Sequence, residues 1–189
     1  MSHASPTDLA PESQAGAWRL FFALDPPAAL RERVAAHAST WRWNERVRPV
    51  AAHKLHLTVL FLPRVAPAKV PALLSLGAAA ASAHPGCLLW LDRAAVWPGG
   101  IAHLAPSTIP AQLQALHETL LRGARSAAVA CDARAWHPHL TLARRAEPEQ
   151  KPAAFEPLRW QVRSLSLQRS VLGSGRYETL GCWQLGPAD

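Results

Sequence analysis

Residues 56–59 read HLTV and residues 139–142 read HLTL, two copies of one tetrapeptide 83 positions apart. Each sits in an apolar run, LHLTVLFL (55–62) and HPHLTLAR (137–144), of the length and composition of a β-strand. Side chains in a strand alternate between faces. His56 and Thr58 therefore share one face and Leu55, Leu57 and Val59 the other, while His139 and Thr141 oppose Leu140 and Leu142. A chain with two such strands has to bury two apolar faces and leave two His-Thr pairs on accessible ones.

The offset of 83 extends beyond the histidines. Pro27, Ala28 and Leu30 map onto Pro110, Ala111 and Leu113, so both halves read strand, helix, His-x-Thr strand. The predicted architecture is α+β and bilobal. Two similar, pseudo-symmetric lobes each offer a His-x-Thr strand to a common cleft between them.

The remaining pattern supplies the other elements. WRLFFAL (18–24) is a buried strand, followed by a helix over 25–41 that opens with Asp25 as N-cap and turns Leu30, Val34 and Trp41 inward. A second helix spans 66–84, with Val70, Leu73, Leu74 and Ala81 inward. A long strand (87–97), a Pro-Gly-Gly turn and a strand (101–105) form a hairpin. A third helix covers 107–124 with Leu113, Leu116 and Leu120 inward, and strands follow at 127–135, 138–143, 158–169 and 177–185. Residues 147–157, rich in proline, form a loop, and residues 1–17 are expected to be a disordered leader ahead of one domain (18–189).

With 49% apolar residues in 189, the chain can bury a substantial core. It contains no apolar run of about 18 residues to cross a bilayer and no secretory signal pattern. Three cysteines (87, 131 and 182) without paired spacing argue against a disulfide framework or thiolate zinc site and fit a reducing cytoplasm. Twenty basic against thirteen acidic residues give a net charge of +7, which favours polyanionic partners, although a generally arginine-rich surface has the same arithmetic.

Two imidazoles and two hydroxyls on one cleft suit phosphoryl chemistry. One neutral histidine takes a proton from water, one protonated histidine gives a proton to the leaving oxygen, and the threonines donate hydrogen bonds to phosphate oxygens. No metal or other cofactor is needed. A zinc site would have to use His137 and His139 with His53 or His56, without a cysteine pair or an H-E-x-x-H helix beside them. His3, His37, His84, His103 and His117 receive no chemical role at this level.

Two H-x-T-x motifs in a chain of this length, together with RLFFALDPP, LDRAAVWPGGIAHLAP and LSLQRSVLGSGRYETLGCWQL, resemble the two-histidine phosphoesterase superfamily. The closer resemblance is to its RNA 2′,3′-cyclic phosphodiesterase branch, the bacterial 2′-5′ RNA ligase family. It implies a bilobal α+β fold, each lobe with an antiparallel sheet and flanking helices beside the cleft, in which His56 donates a proton to the leaving 3′-oxygen and His139 accepts one from water. Thr58 and Thr141 would hold the phosphate and Arg144 would meet it. Strict alternation puts residue 144 on the face opposite His139, so this role requires the strand to end or bulge there. The implied partners are RNAs with 2′,3′-cyclic phosphate ends, tRNA fragments among them, acted on by a monomer.

The chain departs from the family pattern at His53-Lys54, at Pro63, and at His103, where an aromatic residue is common. Phe22, Trp43 and Trp97 are candidate stacking platforms for a base, against the competing expectation that most of eight tryptophans pack the core. Three further activities share these motifs. They are 2′-5′ ligation of RNA ends, opening of a small cyclic nucleotide, and non-catalytic gripping of RNA ends.

Overall fold

Ten strands and three α-helices make up the described part of the chain, residues 16–187 apart from 172 and 174, in a computed structural model. The expected leader lies almost wholly outside the described residues. In order, the elements are β1 (Trp18–Leu24), α1 (Ala28–Ala38), β2 (Arg48–Pro49), β3 (Leu57–Val65), α2 (Val70–Ala83), β4 (Cys87–Leu91), β5 (Arg93–Trp97), β6 (Ile101–Ala105), α3 (Ala111–Ser126), β7 (Leu140–Arg144), β8 (Leu158–Val162), β9 (Ser164–Val171) and β10 (Arg176–Gln184).

The repeat is structural. Helices α1 and α3 begin 83 residues apart, at Ala28 and Ala111, and so do β3 and β7, at Leu57 and Leu140. The main sheet runs β10-β9-β1-β3-β7-β6-β5, with β2 paired to β7. β1 flanks β3 as β6 flanks β7, with Leu24 paired to Leu57 and Leu104 to Leu140. The two halves, expected as separate sheets, meet edge to edge at one ladder pair, Leu57 with Leu140.

The core lies on the face to which these leucines point. Leu20, Phe22 and Leu24 of β1, Leu57 and Leu62 of β3, and Leu140 of β7 are all fully buried. Helix α3 packs on β3 and α2 through Leu113, Leu116 and Leu120. Helix α2 crosses β9 and β10 closely, because Gly77 presents no Cβ to the Trp183 ring that fills the gap. In α1, Leu30 and Val34 are inward as expected, with Trp41 buried just beyond its end.

Three expected elements are corrected. The strand over 87–97 breaks at Asp92, and that over 158–169 breaks at Arg163. β4 and β8 leave the main sheet to pair only with each other. Asp92 turns the first corner by accepting hydrogen bonds from the Ser107 backbone N–H and hydroxyl. Residues 127–135 are not a strand but an irregular segment lying along the edge of β3, where the Asp132 N–H donates to the Phe61 carbonyl (3.1 Å). The hairpin forms as expected, its turn closed by Gly99 and Gly100 at φ +90° and +78°.

Candidate active site

Because Leu57 and Leu140 face the core, their neighbours in both strands turn to the opposite face. His56, Thr58, His139 and Thr141 are all half-buried there. The register of that single pair, carried one step each way, sets His56 across from Thr141 and Thr58 across from His139. Four polar side chains thus surround one ladder pair.

Both imidazoles are held in the same way. The Nδ1 of His56 lies 2.7 Å from the carbonyl oxygen of Lys54, and the Nδ1 of His139 lies 2.8 Å from that of His137. A carbonyl only accepts, so each Nδ1 carries hydrogen and each Nε2 is left for chemistry. The His56 ring rests between Phe21 (4.8 Å between centroids) and the edge of Tyr177 (5.3 Å). The His139 ring rests against Trp97 (4.4 Å) and His103 (5.6 Å).

Both strands shift register just beyond the motif. Val59 and Leu60 are buried side by side in β3, and Leu142 and Ala143, 83 residues later, in β7. The shift in β7 falls between the partners of Ala102 and His103, leaving one extra residue in the ladder. That bulge reverses the alternation and returns Arg144 to the face of His139 and Thr141. Its guanidinium acts electrostatically on His56. The position that strict alternation put out of reach is thereby recovered.

Past the bulges the strands diverge, and their inner edges are sealed by side chains and loops. The Trp136 indole N–H donates to the Thr58 carbonyl (3.0 Å), and the His117 ring bonds the Val59 carbonyl (2.7 Å). These two rings stack at 4.2 Å and 7°. On the other side β2 covers β7, with the Val50 N–H donating to the Leu142 carbonyl (2.8 Å). His117, given no chemical role from the sequence, is a structural clamp on β3.

The two histidines differ electrostatically. Burial pushes His139 down to about 4, because desolvation penalises its charged form and the neighbouring His103, His56 and His137 add to the penalty. His56 is also lowered, mainly by burial and further by Arg144, while the Lys54 carbonyl and the Asp25 carboxylate oppose the shift. Both rings are thus held toward the neutral form, and His56 alone has a carboxylate opposing that shift. Among the described residues, no group of three or more His, Cys, Asp or Glu side chains is arranged to hold a metal ion.

The base-stacking candidates are redistributed. Phe22 is fully buried on the core face and has no surface to offer a base; Phe21, one residue earlier, lies beside His56. Trp43 stacks on Trp41 (4.7 Å, 15°) beyond α1, and no ring contact in the described residues joins it to either histidine. Trp97 does reach the site, against His139 and His103. Sequence reasoning left Phe21, Tyr177, Asp25 and His103 out of the site; the pairing of Ala23 with Thr58 is what puts Phe21 on the His56 face.

Comparison with known proteins agrees with this geometry. The model of the 2′-5′ RNA ligase superfamily matches residues 26–173. The chain is 36% identical over 171 residues to an Escherichia coli protein named RNA 2′,3′-cyclic phosphodiesterase, covering 88% of this chain and 96% of that one. Among solved structures, one described as a phosphoesterase superposes with a TM-score of 0.79 at 36% identity, covering 89% of this chain and 99% of the other. E. coli LigT complexed with 3′-AMP superposes with a TM-score of 0.75 at 33% identity, covering 89% and 98%. Paired His-x-Thr strands on a repeated α+β frame and these matches along most of its length lead to one assignment: the chain belongs to the 2′-5′ RNA ligase superfamily.

Proposed function

We propose that this protein opens RNA 2′,3′-cyclic phosphate ends to terminal 2′-phosphates by acid–base catalysis between His56 and His139. The observation that carries the reading is the Leu57–Leu140 pair, which sets two Nδ1-anchored imidazoles and two threonines on one face. Water attacks phosphorus as its proton passes to the Nε2 of His139. The bond from phosphorus to the 3′-oxygen breaks as that oxygen takes a proton from the Nε2 of His56. Water then restores the starting protonation states. Thr58 and Thr141 donate hydrogen bonds to the non-bridging oxygens, and Arg144 offsets the charge that builds on them.

The name of the E. coli relative supports RNA ends as the substrate class, and the complex of LigT with 3′-AMP supports a nucleotide as ligand. The excess of arginine agrees with a polyanionic partner. Ligation would use the same groups in the same roles, a 5′-hydroxyl standing in for water, and the family's name supports it as a second activity. The test is product analysis by phosphorus NMR on a cyclic-ended oligoribonucleotide, with and without a 5′-hydroxyl oligomer. A 2′-monophosphate signal supports hydrolysis, and a 2′-5′ diester only when both oligomers are present supports ligation. An unchanged cyclic signal contradicts both.

A further inference from the structure

Deepening that two-histidine reading and resting on it, we infer that Asp25 is a positioning residue that holds the proton on His56 and so decides which of two similar imidazoles is the acid.

The Asp25 carboxylate is deliberately held. Ser166 donates to it through Oγ (2.6 Å) and Gln168 through Nε2 (2.8 Å), and Gln168 also donates to Ser166 Oγ (3.1 Å). Ser166 is 1% exposed and Gln168 6%, two polar side chains buried on β9 where it pairs with Ala23 and Phe21. Burying such groups is costly unless they are matched, and here they match one carboxylate. That carboxylate does not cap α1, as the sequence had suggested. The Pro26-Pro27 pair keeps the chain extended, and Pro27 precedes the helix without a side-chain cap.

The register places this carboxylate. Leu24 pairs with Leu57, so the next step sets Asp25 opposite His56. In the second half Leu104 pairs with Leu140, and the next step sets Ala105 opposite His139. The equivalent one step back contrasts Ala23, paired with Thr58, with His103, paired with Thr141. The pseudo-symmetry is therefore broken where it matters. An acid flanks His56, whereas an alanine and a third histidine flank His139. Facing His56 from the surrounding elements are Phe21 of β1 and Asp25 just past its end, Tyr177 of β10, and Arg144 of β7 with His139 just before its start. Asp25 is the one anion in that set.

The experiment titrates the His56 and His139 imidazoles by NMR in the wild-type protein, Asp25→Asn and Asp25→Glu, alongside the pH profile of kcat/KM on a cyclic-ended dinucleotide. Asp25→Asn is expected to lower the His56 midpoint by about one pH unit, leave His139 in place, and move the alkaline limb down equally, with glutamate restoring part of the shift. Above that limb the rate falls about tenfold. Asp25→Ser gives the same readout if the asparagine variant does not fold. An unmoved His56 midpoint in a folded, uncharged variant overturns the inference. If wild-type protein leaves the RNA cyclic while the midpoint still shifts, the proposed function fails and the positioning role stands.

Discussion

Leu57 and Leu140 face each other across the one ladder pair that joins the two halves of the main sheet, and both are fully buried. The two histidines and two threonines of the site are each one residue away from that contact. The flanking positions of this pair are the His-x-Thr residues of both strands.

Truncating either leucine to alanine should cost about 2–5 kcal/mol, the range for emptying a packed leucine site. The double variant should lose less than the sum, because the two side chains share one cavity. Chemical denaturation of the two singles and the double checks this. Strict additivity would mean that the leucines do not support each other.

Trp136 and His117 satisfy carbonyls that β7 would have paired had the strands continued together. Trp136→Phe keeps the ring stack but leaves the Thr58 carbonyl without its donor. The expected cost is about 1–3 kcal/mol, with a fall in kcat as Thr58 loses its anchor. Unchanged stability and kcat would show that water replaces the indole at no cost.

Arg144 pushes the His56 pKa down in the free enzyme. Arg144→Gln should therefore raise the His56 midpoint, the direction opposite to Asp25→Asn, while raising KM for an anionic substrate. An imidazole titration followed by NMR, paired with steady-state kinetics, separates the two effects. A His56 midpoint that does not rise would place Arg144 too far from the ring to act on it.

These opposing charges show how much of the site was legible in the sequence. Parity alone put each histidine beside its threonine, and the offset of 83 foretold that the halves would repeat. Arg144 resisted parity because the extra residue in β7 is a property of the ladder with β6, which no single strand reveals. Phe22 was chosen over Phe21 because a run of apolar residues conceals its own phase, and only the pairing of Ala23 with Thr58 resolves it. Continuous strand-like patterns on both sides of Asp92 and Arg163 hid two sheet corners. The corner at Asp92 depends on a distant partner, Ser107. Asp25 looked like a helix cap because its partners, Ser166 and Gln168, lie more than 140 residues away.

Stability should fall on the acid side. His139 is depressed from 6.5 to about 4, and His37, His56, His103 and His117 are lowered in the same direction by burial. Below pH 6.5 the unfolded chain binds protons that the folded chain refuses. The contribution of His139 is therefore fully present above pH 6.5 and lost as pH falls toward 4, up to about 3 kcal/mol. Melting temperatures between pH 7.5 and 4.5 should drop for the native protein and drop less for His139→Gln. Parallel curves would contradict a neutral, desolvated His139.

The most direct measurement is hydrolysis of a short RNA ending in a 2′,3′-cyclic phosphate, in excess EDTA, by the native protein, His56→Ala and His139→Ala. The account predicts that native protein alone converts the cyclic end to a 2′-phosphate and that each variant loses at least about a hundredfold in rate, the lower end for removing a general acid or base. Activity abolished by EDTA, or retained by either variant, would contradict two-histidine catalysis at this site.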